Sequence, residues 1–415
     1  MSQTVAIVGA GQAGFQLAAS LREHGFDGTI QLYGEERYLP YQRPPLSKTY
    51  LKEPALPDKL YFRAERFFAE KRIEVLTGAR VDGIDRSAHT LHLADGTAAA
   101  WDHLVLATGV RNRRLPIDGL DLDGVVMLRG LDDAHAIRAQ LATARRIVIV
   151  GGGIIGLEIS ALARGLGLEV DIVELGERLA GRIGTAALSE YFLRFHRGLG
   201  SRVHLGASLA RLEGSGRKLV AAHLSTAERI ETPLVLACIG VIPNMELAAA
   251  AGLEVADGIV VDSQMRTSDP AIYAVGDCAR FTPPHGPPHG PRHGRPASIR
   301  LESVQNAIDQ ARTAADGIMG RDKPYDALPW FWSDQGTMKL QIAGLVHGHD
   351  HTIIKADAGN GAMTVYAFAG AELIGVECIN RPADFVAARR VLGARRIVRP
   401  ADVERSDFEL RKFVA

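Results

Sequence analysis

The sequence predicts an α/β protein with two Rossmann-like dinucleotide-binding domains and a C-terminal α+β domain. Two glycine-rich turns of the form G-x-G-x-x-G lead to this prediction, Gly9–Gly14 and Gly151–Gly156, which begin 142 residues apart. Each turn follows a short β-rich run and precedes an apolar helical pattern, and this context gives the motif its meaning. The length of 415 residues is too great for one hydrophobic core and favours about three domains.

The first domain begins with a predicted strand at Thr4–Val8, followed by the glycine turn and a helix that runs to about Glu23 and ends at Gly25. In such a turn the first glycine allows the tight bend, the second lets the backbone approach a pyrophosphate, and the third lets helix and strand pack closely. The helix N-terminus presents free N–H groups to the phosphates. Two more strands are predicted at Thr29–Tyr33 and in the buried run Leu104–Gly109.

The second domain repeats this pattern with a strand at Arg146–Val150 and a fingerprint helix that runs to about Gly165. A strand at Glu169–Val173 and a last strand at Leu234–Gly240 complete it. The chain then rejoins the first domain, so the boundary is discontinuous. The predicted domains are residues 1–112 with 241–322, residues 113–240, and residues 323–415.

The C-terminal domain has a different character, because short apolar runs alternate with turn residues. Antiparallel strands are predicted at Met338–Ala343, Thr352–Lys355, Met363–Phe368 and Leu373–Cys378, and a helix from Arg381 to about Leu392. No nucleotide fingerprint occurs in this domain.

Composition gives no indication of a nucleic-acid or membrane partner, and none is expected. Lysine plus arginine equals aspartate plus glutamate, at 48 each, so net charge favours neither nucleic acid nor a membrane surface. No run approaches the ~20 apolar residues of a membrane span. The first strand begins at Thr4, which leaves no room for a signal peptide, and a cytoplasmic location is expected.

Neither a disulfide framework nor a metal site is expected. The three cysteines lie far apart without a C-x-x-C pair, and we interpret them as small buried hydrophobic residues: Cys238, Cys278 and Cys378. Residues 283–296 are rich in proline and glycine and carry three histidines: His285, His289 and His293. No rigid element holds these histidines at ligand distance, so we predict a flexible surface loop.

An acidic residue follows the second strand of each dinucleotide unit. Glu35 lies 21 residues beyond Gly14, and Glu174 lies 18 residues beyond Gly156. This spacing is close to the ~20 residues expected for a carboxylate that binds a ribose diol. A 2′-phosphate would be repelled by Glu174, which favours NADH over NADPH, although Arg178 lies nearby. The alternative is that each acid is a solvated residue at a strand end.

The segment Thr267–Ala279 carries the most specific motif, a strand that leads into Gly276 and Asp277. It resembles the second flavin fingerprint of the two-dinucleotide-binding flavoproteins, in which the aspartate hydrogen-bonds the ribityl chain. Ala107-Thr108-Gly109 resembles the companion motif of that superfamily. The closest resemblance is to the NADH-dependent ferredoxin reductases of bacterial cytochrome P450 and ring-hydroxylating dioxygenase systems. It extends over the whole chain and rests on the motifs Tyr41–Lys48, Arg300–Ala307, Pro329–Gln335 and Asn380–Pro382.

The fingerprints and the resemblance together imply the residues that contact each dinucleotide. FAD contacts are expected from Gly9, Gly11, Ala13, Gly14, Glu35, Arg43, Lys48, Val81, Ala107, Thr108, Gly109, Arg129, Gly276, Asp277, Val304 and Trp332. NADH contacts are expected from Gly151, Gly153, Ile155, Gly156, Glu158, Glu174, Arg182 and Gly240.

The resemblance also implies how the reaction proceeds. Lys48 pairs with Glu158 beside the flavin, and these two residues are the expected catalytic pair. Hydride passes directly from nicotinamide to flavin, so the protein supplies alignment and excludes water. Because no cysteine precedes Cys238, the electrons are expected to leave singly to a [2Fe–2S] ferredoxin. Arg312, Trp330 and Trp332 are the candidate docking residues for that acidic partner, although either tryptophan could instead be core packing.

Two alternatives remain open from the sequence. A related NADH-dependent rubredoxin or quinone reductase would share every cofactor motif. A flavin-binding signalling or structural protein with slow turnover belongs to a different class, and the Lys48/Glu158 pair counts against it.

Overall fold

The structure, a computed structural model, describes residues 3–52, 59–282, 298–357 and 361–414. Contacts between residues divide the chain into two compact units. The first unit comprises residues 1–42, 56–111 and 242–329, and the second comprises residues 43–55, 112–241 and 330–415. Because the contacts separate two units, the division into three domains stays a prediction. The loop 283–296 lies outside the described residues.

The first unit is built on a five-stranded parallel sheet, which contains the predicted strands of the Rossmann-like domain and a further strand at Ile73–Thr77. The fingerprint strand lies in the middle of this sheet. The next strands along the sequence are added on one side of it and the later strands on the other side, so the strand order reverses there. Open α/β sheets bind their ligands at this switch point. Val5, Ala6 and Ile7 have no exposed surface, which is typical of a strand buried on both faces. Across the sheet the strands are Ile272–Ala274, His103–Leu106, Thr4–Val8, Thr29–Gly34 and Ile73–Thr77.

Helices and two small sheets complete the first unit. The helices are Gln12–Glu23, Glu65–Glu70, Glu246–Ala250 and Val304–Ile318, and a 3₁₀ turn spans Gly276–Cys278. A three-stranded antiparallel sheet consists of Val81–Asp85, Thr90–Leu93 and Ala98–Ala100. A parallel pair consists of Ile259–Val261 and Ala279–Phe281.

The second unit contains a parallel sheet with the same arrangement around its own fingerprint strand. Its strands, in order, are Arg202–Leu205, Glu169–Glu174, Arg146–Val150, Val235–Ala237 and Val125–Val126. An antiparallel sheet of Leu209–Ser215, Lys218–Leu224 and Arg229–Glu231 accompanies it. The helices of this part are Thr49–Lys52, Leu131–Leu141, Ile154–Gly165 and Ala186–Gly198, with a 3₁₀ turn at Pro44–Ser47.

The C-terminal part of the second unit is a five-stranded antiparallel sheet, which contains the four predicted strands and a fifth. Across the sheet the strands are Trp330–Gln335, Met338–Gly344, Glu372–Ile379, Met363–Ala369 and His351–Ala356. The predicted helix spans Pro382–Gly393 and begins at its proline, because a proline at the first helical position loses no hydrogen bond. A short helix at Pro400–Glu404 and a 3₁₀ turn at Leu410–Phe413 follow.

Two predicted strands end earlier than expected, and in each case a glycine turn follows. The runs Leu104–Gly109 and Leu234–Gly240 form regular strand only to Leu106 and Ala237. Gly109 and Gly240 have φ angles of 62° and 94°, which lie in the left-handed region and do not continue a strand. The short strands Val110–Asn112 and Val241–Pro243 contain two of the points at which the sequence leaves one unit and enters the other, after Arg111 and after Val241.

All three cysteines are free thiols, and Cys278 and Cys378 are fully buried as expected, whereas Cys238 is half-buried. The Cys238 thiol itself is surrounded by protein, and this desolvation raises its pKa to about 12. None of the described helices is both long and apolar enough to cross a membrane.

Candidate functional site

The first fingerprint turn has no space for side chains at its first and third glycines. Gly9 has a φ of 114°, and a methyl group there would lie 2.1 Å from the carbonyl oxygen of Ala107. A methyl group at Gly14 would lie 2.0 Å from the carbonyl oxygen of Gly9. Real side chains do not approach backbone oxygen this closely, so both positions require glycine for the strand, turn and helix to pack.

The second fingerprint repeats this geometry. Gly151 has a φ of 105°, and a methyl group there would lie 2.3 Å from the carbonyl oxygen of Cys238. A methyl group at Gly156 would lie 2.4 Å from the carbonyl oxygen of Gly151. The two turns therefore use equivalent backbone contacts, each within its own parallel sheet.

The middle glycines, Gly11 and Gly153, are open. A methyl group at either position would meet no described protein atom within 4 Å. Both glycines are the N-cap residues of their helices, neither helix receives a side-chain cap, and neither has an acidic residue in its first turn. Helix N-terminal N–H groups in an open space fit a bound pyrophosphate. The residues present therefore fit one dinucleotide in each unit.

The two acids that looked equivalent in the sequence have different surroundings. The Glu174 carboxylate accepts 2.7 Å hydrogen bonds from the backbone N–H groups of Gly152 and Gly176, one on each oxygen. These bonds fix its position beside the second fingerprint turn. The Glu35 side chain is exposed, and its one described ion pair is with Arg80 at 3.3 Å. Glu174 is thus held by the backbone, whereas Glu35 lies beside a cation at the surface.

Arg178 forms no hydrogen bond with Glu174 in the described structure, because its donors bind the loop that follows. One terminal nitrogen donates to the carbonyl oxygen of Gly184 at 2.7 Å and to the hydroxyl of Ser189 at 2.9 Å. The other donates to the carbonyl oxygen of Gly181 at 2.8 Å. Arg178 therefore holds the shape of the loop.

Other expected NADH residues lie around the same turn. A terminal nitrogen of Arg182 lies 3.1 Å from the place where a methyl group at Gly240 would stand. Ile155, in the first turn of the fingerprint helix, is a large hydrophobic residue that is 42% exposed. An exposed apolar side chain beside helix N–H groups suits the flat face of a nucleotide ligand.

Lys48 and Glu158 form an ion pair in the second unit, with 2.8 Å between Lys48 Nζ and Glu158 Oε1. Glu158 is only 4% exposed, and two hydroxyl groups also donate to its carboxylate. Ser333 Oγ donates to Oε1 at 2.7 Å, and Ser47 Oγ donates to Oε2 at 2.5 Å. Sequence reasoning missed both serines as site residues, although each stands in a motif that it had singled out.

The loop of Gly276 and Asp277 packs against the first fingerprint helix. Gly276 has a φ of 81°, and a methyl group there would lie 3.0 Å from the Ala13 side chain. Its N–H donates to Oε1 of Gln310 at 2.8 Å, and Arg300 donates to the carbonyl oxygen of Asp277 at 3.2 Å. Three expected FAD residues are therefore close together in the first unit.

Asn244 fixes the Thr108–Gly109 turn, and sequence reasoning missed this residue too. The Thr108 hydroxyl donates to the Asn244 carbonyl oxygen at 2.6 Å, and Asn244 Nδ2 donates back to the Thr108 carbonyl oxygen at 2.9 Å. The backbone N–H of Asn244 donates to the carbonyl oxygen of Gly109 at 2.9 Å. A single asparagine far along the chain gives no motif, so no sequence signal identified it.

The other expected FAD residues lie in both units. Val81 begins a strand of the first unit and packs against its core, and Val304 begins a helix of that unit. Arg43 belongs to the second unit, where it donates to the carbonyl oxygen of Arg129 at 2.7 Å.

The candidate docking residues also divide between the units. Arg312 lies in the first unit, with an exposed side chain 3.5 Å from Asp309. Trp330 and Trp332 lie in the second, half-buried, with ring centres 5.7 Å apart. The guanidinium of Arg389 lies 4.6 Å from the Trp330 ring centre, so this tryptophan also takes part in packing.

A buried carboxylate joins the C-terminal sheet to the loop that carries Arg178 and Arg182. Glu377 has no exposed surface and accepts from both the N–H and the hydroxyl of Thr185, at 2.8 and 2.6 Å. Burial raises the pKa of Glu377 to about 7, and the two donated bonds oppose this shift. Among the described residues, no group of three or more histidine, cysteine or acidic side chains is arranged to hold a metal ion.

Comparison with known proteins agrees with this geometry. Residues 3–311 match the family described as Pyridine nucleotide-disulphide oxidoreductase, and residues 330–414 match the Reductase C-terminal family. Rhodocoxin reductase of Rhodococcus erythropolis is 40% identical over 412 residues, which cover 99% of this chain and 94% of that protein.

Two solved structures are similar over nearly the whole chain. The ferredoxin reductase for the CYP199A2 system from Rhodopseudomonas palustris is 44% identical, with a TM-score of 0.95 and 100% coverage of both chains. The putidaredoxin reductase–putidaredoxin covalent complex gives 36% identity and a TM-score of 0.94, with coverage of 99% and 98%.

Proposed function

Because the chain belongs to the pyridine nucleotide-disulphide oxidoreductase family, we propose that it is an FAD-dependent NADH:ferredoxin oxidoreductase. It passes electrons from NADH through FAD to a [2Fe–2S] ferredoxin that serves a cytochrome P450 or a dioxygenase. The observation that carries this proposal is the pair of equivalent fingerprint turns, each with an open middle glycine at an uncapped helix N-terminus. Two dinucleotide sites in one chain fit electron transfer between two dinucleotides.

We assign the pyrophosphate and the ribityl chain of FAD to the first unit. FAD, when bound, supplies a group that accepts two electrons as hydride and releases them one at a time. The helix N-terminus at Gly11 binds its pyrophosphate, and Asp277 binds its ribityl chain. The close packing of Gly276 on Ala13 supports this assignment, because it brings the Asp277 loop to the same helix N-terminus.

We assign NADH to the second unit. Gly153 faces the pyrophosphate and Glu174 binds the adenosine ribose, with its carboxylate aimed by two backbone N–H groups. Arg182 and Gly240 border the site. Lys48 and Glu158 shape the nicotinamide pocket, where their task is to align the reacting carbon and keep water out.

The route out of the flavin is single-electron transfer to an iron–sulfur partner. No cysteine precedes Cys238, so the N-terminal segment offers no thiol to receive the electrons. Arg312, Trp330 and Trp332 are the proposed docking residues, and the similarity to a reductase solved in complex with putidaredoxin supports a protein acceptor. We place the reaction in the cytoplasm, where the NADH pool is available.

Comparing electron acceptors tests this function. The FAD-loaded protein and NADH are mixed with a [2Fe–2S] ferredoxin, a rubredoxin and a quinone, and the initial rate is measured for each. Ferredoxin should give the highest kcat/KM. A higher value for rubredoxin or quinone would reassign the acceptor, and flavin reduction by NADH over minutes instead of seconds would contradict an enzymatic role.

A further inference from the structure

We propose that Ser333 and Gln335 are positioning residues for flavin reduction, which act by holding the Glu158 carboxylate in place. The inference rests on the proposed function and adds two residues to its nicotinamide site. Neither side chain is expected to touch a cofactor. Both act through Glu158, which pairs with Lys48.

A continuous chain of buried side chains leads to Glu158. Gln335 Nε2 donates to Ser333 Oγ at 3.3 Å, and Ser333 Oγ donates to Glu158 at 2.7 Å. Behind Gln335 stands His196, whose Nε2 lies 2.9 Å from Gln335 Oε1. His196 Nδ1 lies 3.3 Å from the hydroxyl of Ser160. Ser333, Gln335, His196 and Ser160 have no exposed surface, so water does not compete for these bonds.

The Glu158 carboxylate, at one end of this chain of hydrogen bonds, determines which group donates in every bond. A carboxylate only accepts, so Ser333 must donate its hydroxyl hydrogen to Glu158. Ser333 then accepts from the amide nitrogen of Gln335, which leaves the Gln335 oxygen to accept from His196 Nε2–H. His196 Nδ1 consequently accepts from Ser160. All the donors are aligned toward Glu158, and such alignment strengthens each bond in a low-dielectric interior.

His196 suits this fixed direction because it is neutral. Burial lowers the pKa of His196 to about 4, against the opposing effect of its bond with Gln335. At neutral pH the ring therefore carries one proton, on Nε2, as the chain requires. A doubly protonated ring would lose the bond accepted by Nδ1.

The chain forms a brace between three elements. Glu158 and Ser160 belong to the helix Ile154–Gly165, His196 to the helix Ala186–Gly198, and Ser333 and Gln335 to the strand Trp330–Gln335. The strand end lies close to the first helix, since a methyl group at Gly336 would stand 3.9 Å from the Ala161 side chain. The path returns to the helix that it started from, which restricts the rotation of Glu158.

Alternation along the strand connects this brace to the aromatic residues. Ser333 and Gln335 are fully buried, whereas Trp332 and Asp334, which alternate with them along the strand, are half-buried. Such alternation is expected when successive side chains point to opposite faces of a strand. One strand therefore carries Trp332 on one face and the donor to Glu158 on the other. A shift of this strand would move both together.

The test compares flavin reduction in matched variants. Ser333→Ala removes the donor to Glu158, Ser333→Thr restores a hydroxyl, and Gln335→Met keeps the length but removes the amide. Thr364→Val is the control, because Thr364 is also a fully buried strand residue whose hydroxyl donates, at 2.7 Å to Asp384. The FAD-loaded variants are mixed with NADH under anaerobic stopped-flow conditions, and the limiting rate constant and the apparent NADH dissociation constant are measured separately.

Ser333→Ala and Gln335→Met should lower the limiting rate constant about 10-fold, with the NADH dissociation constant changed less than about 3-fold. Ser333→Thr should recover most of the rate, and Thr364→Val should match wild type. Equal limiting rate constants in wild type, Ser333→Ala and Gln335→Met, with only a lower melting temperature, would overturn the inference. Failure of the wild type itself to accept hydride from NADH would instead reject the proposed function.

Discussion

Replacing Glu174 with glutamine should narrow the preference of the protein for NADH over NADPH. Glutamine removes the negative charge but keeps one oxygen that can accept from Gly152 or Gly176. Alanine would be a poorer test, since it would leave both backbone N–H groups without the bonds that they make at 2.7 Å. Gly152 is buried, and loss of its bond alone would cost about 1–3 kcal/mol and mix stability with specificity.

The magnitude follows from the charge that a 2′-phosphate would bring. At ~4 Å and an effective dielectric constant of ~20, each unit charge pair repels by about 4 kcal/mol. Glu174 is half-buried, so solvent and salt reduce this repulsion. We take about 1.4 kcal/mol as the repulsion that is left. The wild type should therefore favour NADH at least ~10-fold in kcat/KM.

The assay is steady-state reduction of a small dye with each coenzyme, which needs no protein partner. In Glu174→Gln the ratio should fall to within about 3-fold, with part of the change due to a weaker bond to the ribose of NADH. Glu177→Gln is the matched control, since it removes an exposed carboxylate from the same loop and should leave the ratio unchanged. An unchanged ratio in Glu174→Gln, or equal effects of the two variants, would refute the assignment of selectivity to this carboxylate.

Four other substitutions have defined outcomes. Asp277→Ala should weaken flavin retention, and equal FAD content after gel filtration would count against its ribityl contact. Arg312→Glu should slow ferredoxin reduction and leave dye reduction mostly intact, and its effect should shrink above ~0.15 M salt. Trp332→Ala should slow ferredoxin reduction more than dye reduction, with little dependence on salt, since Trp332 is also an expected FAD contact. For either residue, parallel loss of both activities would reject docking. The pKa of Glu377 is raised to about 7 in the folded protein. Between about pH 4.5 and pH 7 the folded state therefore keeps a proton on Glu377, whereas the unfolded state releases it. The free energy of unfolding consequently falls as pH rises from about 4.5 to 7. In Glu377→Gln this decrease in the free energy of unfolding should be smaller by up to about 3 kcal/mol. Melting temperatures are measured at pH 5 and pH 8 for wild type and variant, and an equal change in the two proteins would contradict this prediction.

Local rules were sufficient for the nucleotide turns. The need for glycine at Gly9 and Gly151 follows from a strand, a tight turn and a helix within about ten residues, so the sequence alone specifies it. The distant ion pair of Lys48 with Glu158 was expected as well, but only because a family resemblance connected the two motifs. No local pattern relates residues 110 positions apart.

The surroundings of each side chain depend on tertiary contacts that the sequence pattern does not encode. Ser333 donates to Glu158 from 175 residues away, and the bond exists only because one strand packs beside one helix. Glu35 and Glu174 follow similar strands at similar spacing, yet Arg80 lies near the first and backbone N–H groups bind the second. Spacing identified both acids, but it could not distinguish their environments.

The three glycines of each fingerprint serve separable purposes, which offers a way to isolate half of the catalytic cycle. A methyl group at Gly151 or Gly156 collides with the protein itself, so those substitutions disturb folding. A methyl group at Gly153 would meet no described protein atom within 4 Å, so it would collide only with a bound nucleotide in this part of the structure. Gly153→Ala should therefore yield a yellow, folded protein that NADH no longer reduces. Once reduced chemically, such a protein would allow electron delivery to ferredoxin to be followed without any contribution from the coenzyme.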